Sequence, residues 1–195
     1  MKAKRRWFLA AALLLVVPLL FASYSRGDRD EAQFKWDLIS GDAYGNLRPG
    51  GQDSAAAADK STLTLTGSGT FQVGDPEDVT GGGTWTLGTS SGTYHVARLV
   101  RFTLAPCSVP SCVSGFGGTD LVGIEQDARA GLVVLEIKYS DGSRGVLFVS
   151  CMLNATPAAV YEGITASKGF VEFWDQTVNA PNNATIFHVL HREEH

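Results

Sequence analysis

From Thr62 to Val73 the chain alternates with a period of two. Leu63, Leu65, Gly67, Gly69, Phe71 and Val73 fall on one side. Thr62, Thr64, Thr66, Ser68, Thr70 and Gln72 fall on the other. Successive side chains of a strand point to opposite faces, so this stretch predicts one long strand with an apolar and a hydroxyl-rich face. The two glycines on the apolar face let a strand coil or let a second backbone approach, and sharply coiled strands of this kind close barrels.

The same period returns along the chain. Phe34–Leu38 reads as a first strand and Thr84–Leu87 as another, with Trp85 and Leu87 inward. In the next strand Tyr94, Val96, Arg98, Val100, Phe102 and Leu104 share a face. Gly131–Leu153 reads as a hairpin about Asp141-Gly142, a strong two-residue turn signal. That turn would set Ile137 opposite Val146 and Leu135 opposite Phe148. Lys168–Trp174 and Thr185–Leu190 complete the set, with Phe170, Glu172 and Trp174 on one face. Gly41–Lys60 reads as a loop with one helical turn at Ser54–Ala58, and Gly74–Asp78 as a turn. Pro106–Ala130 lacks a strand pattern, apart from a weakly helical piece at Ile124–Ala130, and loops of that length are seldom idle. About eight meander-connected strands predict an all-β domain over residues 34–190, a single antiparallel β-barrel, with a β-sandwich as the second solution.

Lys2, Lys4, Arg5 and Arg6 precede an apolar run from Trp7 to Ala22. Cations followed by ~15 apolar residues form a secretory signal or signal anchor over residues 1–25, shorter than the ~20 residues of a membrane span. Residues 26–33 then form a charged lead and residues 191–195 a charged tail. Without the first 25 residues the chain carries 12 cations against 20 anions, a net charge of −8. Such a surface repels phosphate backbones and disfavours nucleic acid as a partner. The only expected membrane contact is an uncleaved N-terminal segment. In an oxidising compartment cysteines pair. Cys107 and Cys112 flank a short turn and are expected to form a disulfide, while Cys151 falls in a strand pattern as a buried thiol.

Val160-Tyr161-Glu162-Gly163, then Gly169-Phe170-Val171 and the apolar strand Thr185–Leu190, resemble the C-terminal part of the allene oxide cyclase and dirigent barrels. The repeated Gly-Ser-Gly-Thr-Phe, Gly-Gly-Gly-Thr-Trp and Ser-Gly-Thr-Tyr segments share that character. The resemblance covers about the last quarter of the chain and implies a small calycin-like barrel. It transfers no catalytic residue.

No motif calls for a cofactor or a metal. His191-Arg192-Glu193-Glu194-His195 matches a zinc pattern in letters, but that pattern needs a helix and a third ligand. His95 and His188 alternate with apolar neighbours and are the acid–base candidates. Asn154-Ala155-Thr156 and Asn183-Ala184-Thr185 are glycosylation sequons. The inward aromatics, with Trp85, Tyr94, Phe102 and Trp174 foremost, suit a ligand cleft as well as a filled core. Arg98 and Glu172 on apolar faces suit either a buried ion pair orienting a polar ligand end, or outward placement through a bulge. The expected function is a secreted, non-catalytic barrel binding a small, largely apolar ligand. A cyclase- or isomerase-like barrel enzyme and a structural or surface-assembly protein are the alternatives.

Overall fold

The computed structural model describes residues 32–107, 112–113, 118–176 and 184–191. The expected signal over 1–25, most of the charged lead and all of the tail but His191 lie outside those residues. The described chain is all-β. In order it forms β1 (Gln33–Gly41), β2 (Leu47–Pro49), β3 (Gln52–Ala57), β4 (Thr62–Thr66), β5 (Ser68–Gln72), β6 (Asp75–Val79), β7 (Gly82–Leu87) and β8 (Ser90–Ala105). After a single 3₁₀ turn at Glu125–Asp127 come β9 (Ala128–Tyr139), β10 (Arg144–Cys151), β11 (Gly163–Lys168), β12 (Val171–Asp175) and β13 (Ala184–Leu190).

The strand pairing is antiparallel and returns on itself. From β9 the ladders run through β10, β11, β12, β3, β4, β7 and β8 and back to β9. This ring of strands buries Leu63, Leu65, Leu135, Leu147, Ile164, Ala166 and Phe173 completely. From β9 a branch of β13, β1, β5 and β6 leaves the ring, with β2 beside β1. The branch packs Phe34, Phe71 and Phe187 around Phe102 of β8, at centroid separations of 4.6, 4.9 and 5.4 Å respectively. Each such side chain taken from water contributes about 1.5–3 kcal/mol.

Several sequence expectations change here. The alternating stretch 62–73 is two strands. At Gly67 the chain leaves the ring (β4 pairs with β3 and β7) and enters the branch, where β5 pairs with β1. A Cβ at Gly69 would lie 2.2 Å from the Thr80 carbonyl oxygen, so the glycines do permit close backbone approach. The segment expected as a loop with a helical turn is β3, buried on both faces from Asp53 to Ala57. Burial between two ladders overrides the helix preference of alanine. Asp75–Val79 is a strand rather than a turn, and the turn is at Val73–Gly74.

The 16-residue β8 carries register shifts between Val96 and Arg98 and between Leu99 and Arg101. Each bulge adds a residue and turns the next part of the strand over. After the first shift Leu99 follows Tyr94 and Val96 into the core and Val100 is exposed. After the second, Phe102 and Leu104 return to that face, with Leu104 exposed near the strand end. The hairpin about Asp141 is also one residue out of the expected register. Tyr139 donates its N–H to the Ser143 carbonyl at 2.9 Å, which leaves three loop residues, with Gly142 left-handed at φ 86°. Leu135 thus faces Leu147, and Phe148 faces Val134. In β12 the buried aromatic is Phe173. Gly169 and Phe170 form a tight turn, leaving Phe170 wholly exposed at its tip and Trp174 on the outer face.

Candidate functional site

The sequence-derived site residues are not brought together as one set; only Glu172 and Trp174 share a groove. Trp85 and Tyr94 are buried, and both pack against Tyr139, at 6.0 and 6.2 Å. The Tyr94 hydroxyl donates to the Thr66 carbonyl at 2.9 Å. Phe102 belongs to the separate aromatic cluster of the branch. These three side chains fill the core. Arg98 is half exposed and pairs with Glu77 at 3.3 Å, not with Glu172. The bulge after Val96 turned it outward. Glu172 is exposed and shares with Trp174 a shallow groove beside the Lys60 turn. His95 is exposed.

A cavity of ligand size with a largely apolar lining lies elsewhere, where β8 ends and β9 begins. It measures about 400 Å³, within the range of small-molecule sites. Arg101, Thr103, Leu104, Ala105 and Pro106 form one wall, Gly131, Leu132 and Ser150 the floor, and Pro157, Ala159, Val160 and Tyr161 the other wall. Leu104 shares the face of Leu99 and Phe102 but lies near the end of β8 opposite Gly131, where it is exposed. Pro106 leads directly into the Cys107–Cys112 disulfide, whose Cα atoms are 5.1 Å apart. Cys151 is free and buried, and burial pushes its thiol well above the ordinary range.

Behind the far wall sits a group of buried acids that the sequence did not reveal. Glu162 accepts the N–H of Met152 at 2.6 Å, and also the N–H of Thr185. The Thr185 hydroxyl donates to the Ser150 carbonyl at 2.6 Å, which links this acid to the groove floor. Asp53 accepts the Ser54 N–H at 2.8 Å, and its Oδ2 is buried without a partner. A Cβ at Gly163 would sit 2.8 Å from that oxygen, so only glycine fits there. Burial raises Asp53 to about 7 and Glu162 to about 8. It raises Tyr161 as well, whose hydroxyl meets Thr165 at 3.2 Å.

A second buried polar group surrounds His188. Its Nε2 lies 2.8 Å from Asp120 Oδ2, and both side chains are buried. Asp120 Oδ1 accepts the N–H groups of Val122 and Gly123, and the Gly123 Cα lies so close to the imidazole that a Cβ would clash at 2.6 Å. Burial tends to raise Asp120, but His188 and those N–H donors outweigh it and hold the carboxyl below its ordinary value. Asp37 is buried nearby with Lys35 at 3.1 Å. Burial still keeps its carboxyl above the ordinary value. This group pins residues 119–123 to the branch, where Leu47 also pairs with Asp120. His188 alternates with apolar neighbours because it is a buried anchor. His191 meets Asp127 at 2.7 Å. Asn154 of the first sequon is exposed in a turn, and Asn183 lies outside the described residues.

Among the described residues no group of three or more potential ligands is placed to hold a metal, and no helix is long and apolar enough to cross a membrane. Comparison of the chain with protein-family models, curated proteins and solved structures finds no match.

Proposed function

We propose that this chain is an extracytoplasmic β-barrel protein that binds a small, largely apolar ligand in the groove between the β8–β9 end and residues 157–161. The ring of strands supports the barrel, and its resemblance to the allene oxide cyclase and dirigent type belongs to the same proposal. The Cys107–Cys112 disulfide supports an oxidising compartment. The observation that carries the binding reading is the groove itself. It has a volume of about 400 Å³, walls of Leu104, Pro106, Leu132 and Val160, and Arg101 and Tyr161 as the polar groups that would orient a ligand.

The neutral probe N-phenyl-1-naphthylamine tests it. The probe is expected to brighten on binding, with a dissociation constant of about 1–100 μM. Ala105→Trp, which fills the groove, is expected to abolish the signal. Absence of probe binding, or binding indifferent to that substitution, overturns the proposal.

A second reading, a cyclase- or isomerase-like enzyme on the same groove, draws on the proton-holding acids behind its wall. Ser150 on the floor is joined through Thr185 to Glu162, which is raised to about 8. Groups that exchange protons near neutrality suit acid–base chemistry. Chromatography of ligands recovered after incubation, which resolves isomers by retention, with mass spectrometry of each peak, separates the two readings. Unchanged ligand sustains binding, and a rearranged ligand of equal mass sustains the enzyme.

A further inference from the structure

We propose that a second groove, at the tips of the β3–β4 and β11–β12 hairpins, binds a neutral sugar ring. Trp174 and Phe170 would supply the stacking surface, and Lys60, Glu172, Asp175 and Gln176 the hydrogen bonds.

The groove has a volume of about 790 Å³ and is lined by residues 56–60, 170–172 and 174–176. Its apolar lining is unusually open to water. Phe170 is fully exposed, and Val171 and Trp174 are nearly half exposed. Trp174 leans on Phe148, with centroids 5.0 Å apart and planes at 61°, so the indole is braced from its own sheet rather than loose. Apolar groups held out in water beside polar ones mark a binding surface.

The polar groups narrow the ligand. Lys60 lies 3.7 Å from Asp175, an ammonium beside a carboxylate. Asp59 accepts both the N–H and the hydroxyl of Ser61, so it is committed to its own turn. Asp59, Glu172 and Asp175 together repel an anion. The Lys60 ammonium, already set among them, competes with a cation. A neutral polyol meets neither penalty. Each hydroxyl both donates and accepts, so it bonds carboxylate, ammonium and amide alike. The C–H face of a sugar ring carries the weak positive potential that the face of an aromatic ring attracts.

The backbone gives a separate indication. The 57–61 turn repeats the 139–143 turn. In each, the first residue donates its N–H to the carbonyl of the fifth at 2.9 Å, and an aspartate at the third position holds a serine at the fifth. The fourth residue is left-handed in both. In one turn it is Gly142 at φ 86°, in the other Lys60 at φ 70°. Glycine adopts that conformation freely and lysine does not. A strained lysine on the groove, where the equivalent turn has glycine, indicates that its side chain serves the groove.

The test is titration of the full chain with cellohexaose, mannohexaose and chitohexaose, followed by tryptophan fluorescence and calorimetry, with choline and polygalacturonate as charged controls. At least one neutral oligosaccharide is expected to bind with a dissociation constant of about 1 mM or tighter. Trp174→Ala is expected to weaken it at least about tenfold. Lys60→Gly is expected to weaken it severalfold while raising the melting temperature. Circular dichroism confirms that each variant is folded. Binding of a charged control alone overturns the proposal, as does no binding tighter than about 1 mM. So does binding that Trp174→Ala leaves intact, or self-association that Trp174→Ala abolishes. The groove at the β8–β9 end shares no residue with this one, so Ala105→Trp should leave sugar binding unchanged.

Discussion

Buried acids in two regions of this molecule meet different fates: in one Asp120 is lowered although Asp37 beside it is raised, and in the other both acids are raised. Asp120 faces His188, with Lys35 and Asp37 completing the set, and its carboxyl stays below the ordinary value. Asp53 and Glu162 are buried with only N–H and hydroxyl donors and one another. They rise to about 7 and 8. Hydrogen bonds alone therefore do not compensate the lost hydration of these carboxylates, whereas an imidazole together with two N–H groups does. One group is an electrostatic anchor for residues 119–123. The other is a store of protons behind the β8–β9 groove.

The largest expected break in this contrast is His188→Ala. It leaves Asp120 buried with only the N–H groups of Val122 and Gly123, and Asp37 with only Lys35. Losing one partner of a buried pair costs about 3–5 kcal/mol. Urea unfolding should show a loss of that order, and hydrogen exchange should show residues 119–123 opening first. A loss below about 1 kcal/mol would mean that the anchor holds by packing alone.

The next effect is a dependence on pH. In the unfolded chain Asp and Glu release their protons near 3.9 and 4.3. In the folded chain Asp53 and Glu162 hold theirs to about 7 and 8. Between about pH 4 and 8 the folded state therefore binds more protons, and these two groups make stability fall as pH rises. The two shifts together correspond to a loss of several kcal/mol across that range. Asp53→Asn and Glu162→Gln should each flatten the fall, read as denaturation midpoints at pH 5 and 8. Asp120 runs the other way. Its contribution is full above about 3.9 and is lost as pH falls through its lower folded value. Asp120→Asn should therefore reduce the acid sensitivity of the segment it pins.

The smallest effect expected is that of Thr185→Val. It removes the hydroxyl that bonds the Ser150 carbonyl and keeps the side-chain volume. A single such bond contributes about 0.5–1.5 kcal/mol. A much larger loss would show that the contact of that hydroxyl with Glu162, at 3.1 Å, also holds the fold.

The all-β character was legible wherever the period of two was undisturbed, as in β1, β4, β7 and β13. So were the free Cys151 and the Cys107–Cys112 pair. What defeated the pattern was every point where one residue is added. The first bulge in β8 moved Arg98 and Val100 outward, and a three-residue rather than two-residue loop at Asp141 shifted a whole hairpin. A period-two argument inverts with each such step. β3 was hidden by its alanines, whose small side chains suit burial on both faces. Of the candidate residues, Glu172 and Trp174 do lie together on a groove, but on the outside of the sheet. Asp53, Asp120 and Glu162 gave no signal, because the strands that bury them, and the His188 and Thr185 contacts of Asp120 and Glu162, are distant in sequence.

β6 has a consequence for how copies of this chain behave in concentrated solution. It ends the hydrogen-bonded path with β5 on one side, and Arg98 of β8 reaches across to its Glu77. A strand in that position offers unpaired backbone groups to a neighbouring molecule. Its sequence, Asp75-Pro76-Glu77-Asp78-Val79, supplies a proline that cannot donate to a ladder and three like charges that repel an identical edge. The acidic run that reads as a simple turn in the sequence thus disfavours pairing of this strand with an identical copy.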